Sequence, residues 1–232
     1  MIESILLVIM SFLPPLIYMV WIRNTERFNR ERWWPILLCF IWGATIAIIA
    51  AIVLELLLGT IVVSIYETSM IPLITVIVLA PIAEEFTKPL ALSLKSVKKE
   101  IDELEDGLIY GAVAGLGFSA TENLLYGMSF LSKGIIIFLI LIIMRSIGGC
   151  LLHASATAWT GYGYGKTVMK HTSLIRVLPY FIIAIFVHGF YNLLVSFENI
   201  GILTGLILAF SLVIISITFI RKKIISLDSA NR

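Results

Sequence analysis

The sequence has little charge and almost no cysteine. Only 14% of its 232 residues are charged, whereas 59% are hydrophobic, and the mean hydropathy is +1.02. This shortage of charge excludes an ordinary soluble domain, in which about 25% of residues are charged, and indicates an integral membrane protein. The two cysteines, Cys39 and Cys150, both lie in hydrophobic stretches, so the sequence does not indicate a disulfide framework.

Several familiar motifs are also absent from the sequence. It has no H-E-x-x-H pair, no glycine-rich phosphate loop, no evident Ser/His/Asp arrangement and no internal repeat. These absences exclude the common zinc-protease helix and the usual nucleotide-binding loops. The net charge of +2 is small, and the basic residues lie in alternate loops, so we discount nucleic acid as a partner.

Seven stretches are long and hydrophobic enough to cross a bilayer, which requires about 20 residues each. Their connections are short, so we predict a single all-α domain, residues 1–232, built as a polytopic transmembrane helical bundle. The predicted spans are 3–22, 34–58, 69–92, 107–130, 134–160, 177–197 and 200–220. The glycine-rich segment 161–165, "GYGYG", is expected to end the fifth helix in a turn at the membrane surface.

The loops on the two sides of the predicted bundle differ in charge. Four arginines lie between the first two spans, and lysines or arginines follow the third, fifth and seventh spans, whereas the opposite loops contain only Lys133. By the positive-inside rule, this alternation places the N-terminus outside and the C-terminus in the cytosol. It also favours an odd number of spans, which agrees with the count of seven.

The third span contains charged residues where a lipid-facing helix has none. The segment "PIAEEFTKPL" places Glu84, Glu85 and Lys88 within four residues of one another. A charged residue near the centre of a span costs about 2.5–3.5 kcal/mol, so such residues normally face the protein interior and mark function. The spacing allows Lys88 to pair with either carboxylate. The other carboxylate is then expected to retain a proton or to bind a cation.

Three further spans contain polar residues that can contact the charged residues of the third span. They are Glu122 in the fourth, Arg145 and His153 in the fifth, and His188 with Asn192 in the sixth. Arg145 is expected to be a counter-ion for the excess carboxylates. His188 and Asn192 are four residues apart, so they project from one helix face and can stabilise an oxyanion or coordinate a metal.

The expected depth of Glu122 in its span differs from that of the other cluster residues. Counting about 1.5 Å per residue, Glu84 and His153 lie in the cytosolic half of the membrane, whereas Glu122 lies nearer the outer end. Either the helix boundaries shift by a turn or Glu122 lies outside the immediate cluster. In the same helix, Gly111 and Gly115 form a small-xxx-small pair, which predicts close approach of another helix.

Carboxylate and imidazole groups together can activate water, with or without a metal ion. This reading predicts a hydrolase. Two other functions stay open at this point. Intramembrane Glu, His and Arg residues also serve proton- or ion-coupled transporters, although these often show internal repeats and interrupted helices. A non-catalytic scaffold with a protease-like core is the third alternative.

Four motifs in this order resemble those of the PrsW-type intramembrane proteases, a branch of the group that includes CAAX prenyl proteases and bacteriocin-processing membrane proteases. They are "EEFTK" at 84–88, "FSATEN" at 118–123, His153, and "HGFYN" at 188–192. The motif-bearing core is about 75–195. Glu122 stands where the CAAX branch carries a histidine, and this difference favours the PrsW branch. A CAAX-type protease that cleaves prenylated substrates is the remaining alternative.

The resemblance implies an intramembrane peptidase in a prokaryotic plasma membrane whose substrate is a membrane-anchored protein of the anti-sigma-factor kind. It implies Glu84 as the base that activates water, Glu85 and His153 as supporting groups, and His188 with Asn192 as the oxyanion site. A Zn²⁺ ion is a candidate cofactor. The metal-dependent and glutamate-based mechanisms both stay open. The expected metal ligands are Glu85, Glu122, His153 and His188, with Glu84 as an alternative to Glu85.

Overall fold

The computed structural model of the protein describes residues 2–65, 69–196 and 201–230. In these three ranges the chain forms helices joined by short turns and contains no β-strand, so the prediction of an all-α fold is confirmed. The helices are α1 Ile2–Arg23, α2 Trp33–Ile65, α3 71–93, α4 Lys95–Lys98, α5 Leu104–Leu131, α6 Ile135–Met169, α7 Leu178–Ser196 and α8 Ile202–Ala230.

Each predicted span corresponds to one of these helices. Five helical stretches among the described residues are long and apolar enough to cross a membrane: Glu3–Arg23, Trp33–Ile65, Ile135–Met169, Leu174–Ser196 and Ile202–Ala230. Helices α3 and α5 correspond to the other two predicted spans. The predicted boundaries at residues 197 and 200 lie outside the described residues. The count of seven spans and the orientation of the termini stay predictions.

Helix α5 lies at the centre of the bundle, and every residue from 108 to 120 is buried. Its small residues allow neighbouring backbones to approach closely. A Cβ added to Gly111 would lie 2.6 Å from the carbonyl oxygen of Thr157 on α6. At Gly115, an added Cβ would collide with the carbonyl group of His153. The glycine pair of α5 therefore brings α6 and its histidine against the centre of the bundle.

The prediction that residues 161–165 end the fifth helix in a turn is wrong. Helix α6 continues through this segment to Met169. Gly161 faces Gly107 and Gly111 of α5 so closely that a Cβ would collide with the Gly107 carbonyl oxygen. These glycines therefore serve close packing of α6 against its neighbours.

Two helices contain local departures from α-helical geometry. Residues Gly43–Ala47 of α2 and Thr75–Leu79 of α3 form π-helical turns, and α3 ends in a 3₁₀ segment, Lys88–Ser93. Single π turns recur at functional sites because they change the direction of side chains and release backbone groups. In α3, the π turn and the 3₁₀ segment lie on either side of the segment Ala80–Thr87, which carries both glutamates.

A group of buried acidic residues joins α8 to the connection between α1 and α2. Asp228 of α8 accepts hydrogen bonds from the backbone N–H groups of Arg27, at 3.0 Å, and Phe28, at 3.3 Å. Glu26 accepts one from the N–H of Glu31, at 3.0 Å, and Glu31 in turn accepts one from the hydroxyl of Tyr110. Burial raises the pKa of Glu26 to about 8 and the pKa of Glu31 to about 10.

Candidate active site

The polar residues predicted on four separate spans meet inside the bundle. Helix α3 supplies Glu84, Glu85 and Lys88, while α5, α6 and α7 supply the others. The assembled residues are Glu84, Glu85, Lys88, Glu122, Arg145, His153, His188 and Asn192. Of these, Glu84, Glu85, Lys88, His153 and His188 are buried. The expected cost of placing charge in the membrane is therefore offset by mutual contacts within the protein.

The ammonium group of Lys88 lies between three of these side chains. Its Nζ is 2.8 Å from Glu84 Oε2, 2.9 Å from Glu85 Oε1 and 2.8 Å from His153 Nδ1. Lys88 thus contacts both carboxylates, whereas the sequence spacing predicted a pair with one of them. Because an ammonium group only donates hydrogen bonds, His153 Nδ1 must accept.

The two adjacent glutamates differ in their surroundings. Glu85 is fully buried, and both its oxygens are occupied: Oε1 accepts from Lys88 and lies 2.8 Å from His188 Nδ1, while Oε2 accepts from Thr157 Oγ1 at 2.8 Å. Glu84 accepts from Lys88 alone. Among the described residues, Glu84 Oε1 has no hydrogen-bond partner. Glu85 is therefore held in one position, whereas Glu84 retains a free acceptor.

A second group of contacts extends from His153. Its Nε2 lies 2.7 Å from Glu122 Oε2, and Glu122 also pairs with Arg145 at 2.8 Å. Arg145 Nε donates to Asn123 Oδ1 at 2.8 Å. Because His153 Nδ1 accepts from Lys88, the neutral imidazole carries its proton on Nε2 and donates it to Glu122. Glu122 therefore touches the central cluster through His153, despite its expected depth.

Of the two residues predicted on α7, His188 contacts the cluster, and Asn192 lines the same cavity. Glu85, as a carboxylate, only accepts hydrogen bonds, so His188 donates to it from Nδ1 and leaves its Nε2 lone pair available. That nitrogen lies 3.8 Å from Glu84 Oε2. Asn192 donates from Nδ2 to the carbonyl oxygen of Val76 in the π turn of α3, at 2.8 Å. The π turn thus fixes the orientation of the Asn192 amide.

The donor atoms in this cluster fit a divalent metal ion. One donor atom from each of Glu84, Glu85, His153 and His188 lies within 4.8 Å of the others. Two carboxylates and two imidazoles are a mixed O/N set of the kind that binds zinc. This set contains Glu84 where the sequence prediction placed Glu122. Since Lys88 contacts three of the four side chains, a bound metal ion would have to replace those contacts with the Lys88 ammonium group.

A cavity of ≈ 480 Å³ opens beside this cluster. Its walls include Glu84, Glu122, His153, His188 and Asn192, so these predicted site residues share one space. Glu85 lines a separate apolar recess of ≈ 510 Å³ instead. Both carboxylate oxygens of Glu85 are buried and engaged within the cluster, so Glu84 is the one of the two neighbouring glutamates that meets the cavity containing both histidines.

Sequence reasoning missed two residues at this site. Thr157 donates to Glu85 from within the buried face of α6. No sequence pattern distinguishes a threonine that makes such a contact from any other threonine in a hydrophobic helix. Glu55 lines the cavity from α2. It lies inside the predicted span 34–58, so its charge was a signal of the same kind as Glu84 and Glu122.

Comparison with known proteins gives two matches. Residues 31–220 match the family described as PrsW family intramembrane metalloprotease. Protease PrsW of Clostridioides difficile (strain 630) is 31% identical over 121 residues, which are 52% of this chain and 50% of that protein. The chain thus spans about half the length of the curated relative it matches. No solved structure matches it.

Proposed function

The chain belongs to the PrsW family of intramembrane metalloproteases, and we propose that it hydrolyses a peptide bond of a membrane-anchored protein. The observation that carries this proposal is the different placement of the adjacent glutamates. Glu85 is fixed by Lys88, Thr157 and His188, whereas Glu84 presents a free carboxylate oxygen to the cavity. That arrangement supports a carboxylate which activates water beside the substrate.

In the proposed reaction, Glu84 removes a proton from water, which attacks the carbonyl carbon of the scissile peptide bond. Lys88 stabilises the ionised Glu84 from 2.8 Å. His153 is fully engaged by Lys88 and Glu122, so it positions the Lys88 ammonium group. The proton held by Glu84 then passes to the departing amine, which balances the hydrolysis.

The oxyanion of the tetrahedral intermediate is assigned to the α7 residues. Asn192 donates one N–H to Val76, and its amide has a second N–H for the cavity. His188 donates from Nδ1 to Glu85, so it can donate from Nε2 only after it takes up a second proton. Asn192 is therefore the residue whose remaining N–H supports the oxyanion assignment directly.

The metal that the family description implies would be held by Glu84, Glu85, His153 and His188. A bound Zn²⁺ ion would supply Lewis-acid polarisation and lower the pKa of a bound water to about 7. By the resemblance described above, the proposed substrate is of the anti-sigma-factor kind and the proposed location is the plasma membrane of a prokaryote.

The test is cleavage of a library of reporter proteins, each with one membrane span, by the full chain in lipid vesicles. We expect Glu84→Gln to lower cleavage by about 10²–10⁴-fold, the usual contribution of a positioned base. Glu3→Gln is the matched control, since Glu3 lies exposed at the start of α1. Cleavage at the wild-type rate by Glu84→Gln would contradict the assignment.

A chelator added to the wild-type protein separates the two mechanisms. Loss of cleavage that zinc restores would support the metal ligands named above. Unchanged cleavage would support water activated by Glu84 alone.

A further inference from the structure

Glu55 is an intramembrane carboxylate that the proposed reaction does not use. It lies in the predicted second span, on α2, and its half-buried side chain lines the catalytic cavity. Among the described residues it has no hydrogen bond and no ion pair. A charged group within a membrane span is costly and is normally paired or functional. The lack of a partner within residues 2–65, 69–196 and 201–230 therefore points to a partner outside this part of the chain.

The charged residues around the cavity indicate the sign of the charge on that partner. Three carboxylates line the cavity, from Glu55, Glu84 and Glu122, and Arg145 is the one lysine or arginine lining it within the described part of the chain. Arg145 is already paired with Glu122, and Glu84 is paired with Lys88. Glu55 is thus the carboxylate left to attract a cationic group.

The position of Glu55 joins two spaces. A second recess of ≈ 460 Å³ also has Glu55 in its wall and continues along α2 past Gly59 and Thr60 to Val63, facing Thr75 of α3. A peptide segment that follows this recess towards Glu84 passes Glu55. The Glu55 carboxylate is therefore accessible both from this recess and from the cavity beside Glu84.

We propose that Glu55 is a specificity-determining residue which binds a lysine or arginine side chain of the substrate segment near the bond to be cleaved. The inference rests on the proposed proteolytic function and narrows its substrate class to membrane segments with an embedded basic residue. A basic side chain is the suitable partner, because a charge-assisted hydrogen bond is about twice as strong as a neutral one. Pairing also removes the cost of two isolated charges in the membrane.

The test measures binding separately from cleavage. Glu84→Gln protein in lipid nanodiscs is titrated with fluorescent transmembrane peptides that are identical except for one Lys, moved through the span, or Gln at the same position. At one or a few positions we expect the Lys peptide to bind about tenfold or more tightly than the Gln peptide. Adding Glu55→Gln should abolish this preference, and adding Glu55→Lys should transfer it to a Glu-containing peptide.

Two controls separate the possible failures. Glu3→Gln in place of Glu55→Gln should leave the preference intact, and thermal unfolding of the Glu55 variants should match that of the parent. A set of peptides with no Lys preference, or a preference that survives Glu55→Gln, would overturn the assignment of Glu55. Cleavage of the reporters with no Lys preference in binding would overturn the assignment of Glu55 and leave the proposed proteolytic function standing. A Glu55-dependent preference without reporter cleavage would support the binding site and remove the proposed proteolysis.

Discussion

At the scale of single residues, the site depends on one ammonium group. Lys88 Nζ contacts Glu84, Glu85 and His153 at 2.8–2.9 Å, so it neutralises the adjacent carboxylates and fixes the tautomer of the histidine. The spacing Glu-Glu-x-x-Lys predicts an ion pair. It does not predict the third contact, because that depends on the rotation of α6 about its axis.

Thr157 offers a test of how Glu85 is held. Thr157→Val removes the hydroxyl that donates to Glu85 Oε2 at 2.8 Å and leaves a buried oxygen unpaired, which costs about 1–3 kcal/mol. We expect lower stability in detergent unfolding and slower reporter cleavage. Thr160→Val is the control on the same helix, since the Thr160 hydroxyl is buried without a partner among the described residues. Equal losses in the two variants would contradict the role of Thr157.

At the scale of helices, the pattern of hydrophobic runs predicts the existence of the elements better than their ends. All seven predicted spans have a helical counterpart, yet α6 extends to Met169, beyond the predicted end at residue 160. Gly161 illustrates why. Glycine serves both turns and close helix packing, and the choice depends on whether a neighbouring helix, here α5 at Gly107, is present.

A pair of glycine substitutions tests this explanation. A Cβ at Gly161 would collide with the Gly107 carbonyl group, whereas a Cβ at Gly59 of α2 meets nothing within 4 Å. We expect Gly161→Ala to destabilise the protein by about 1–3 kcal/mol through overpacking. Gly59→Ala should be neutral or should stabilise by up to about 1 kcal/mol, because alanine favours the helix. Thermal unfolding of both variants in one detergent gives the comparison, and a tolerated Gly161→Ala would argue against close packing here.

At the scale of the whole molecule, the membership of the cluster could be predicted from sequence but its internal arrangement could not. Charged and polar residues inside apolar spans identify Glu84, Glu85, Glu122, His153 and His188, because the membrane penalises them unless they meet. Which donors converge depends on helix depth and rotation. The structure accordingly groups Glu84, and not Glu122, with the other three metal-type donors.

The acidic group that joins α8 to the α1–α2 connection predicts how stability depends on pH. Burial raises the pKa of Glu26 from 4.5 to about 8. Between these values the folded protein holds a proton that the unfolded chain has released, so stability falls as the pH rises through this window. Glu31, whose pKa is raised to about 10, acts in the same direction. We therefore expect the unfolding temperature of the purified chain to fall from pH 5 to pH 8.

Glu26→Gln isolates the contribution of one carboxyl group to this trend. The amide cannot ionise, so the unfolding temperature should fall less steeply between pH 5 and pH 8 than in the wild type, while Glu3→Gln should keep the wild-type slope. Because Asp228 contacts backbone groups 200 and 201 positions earlier in the chain, weakening this group should lower the stability of the whole bundle. The transition should accordingly stay a single one at every pH. Equal slopes for Glu26→Gln and the wild type would show that the buried proton resides elsewhere.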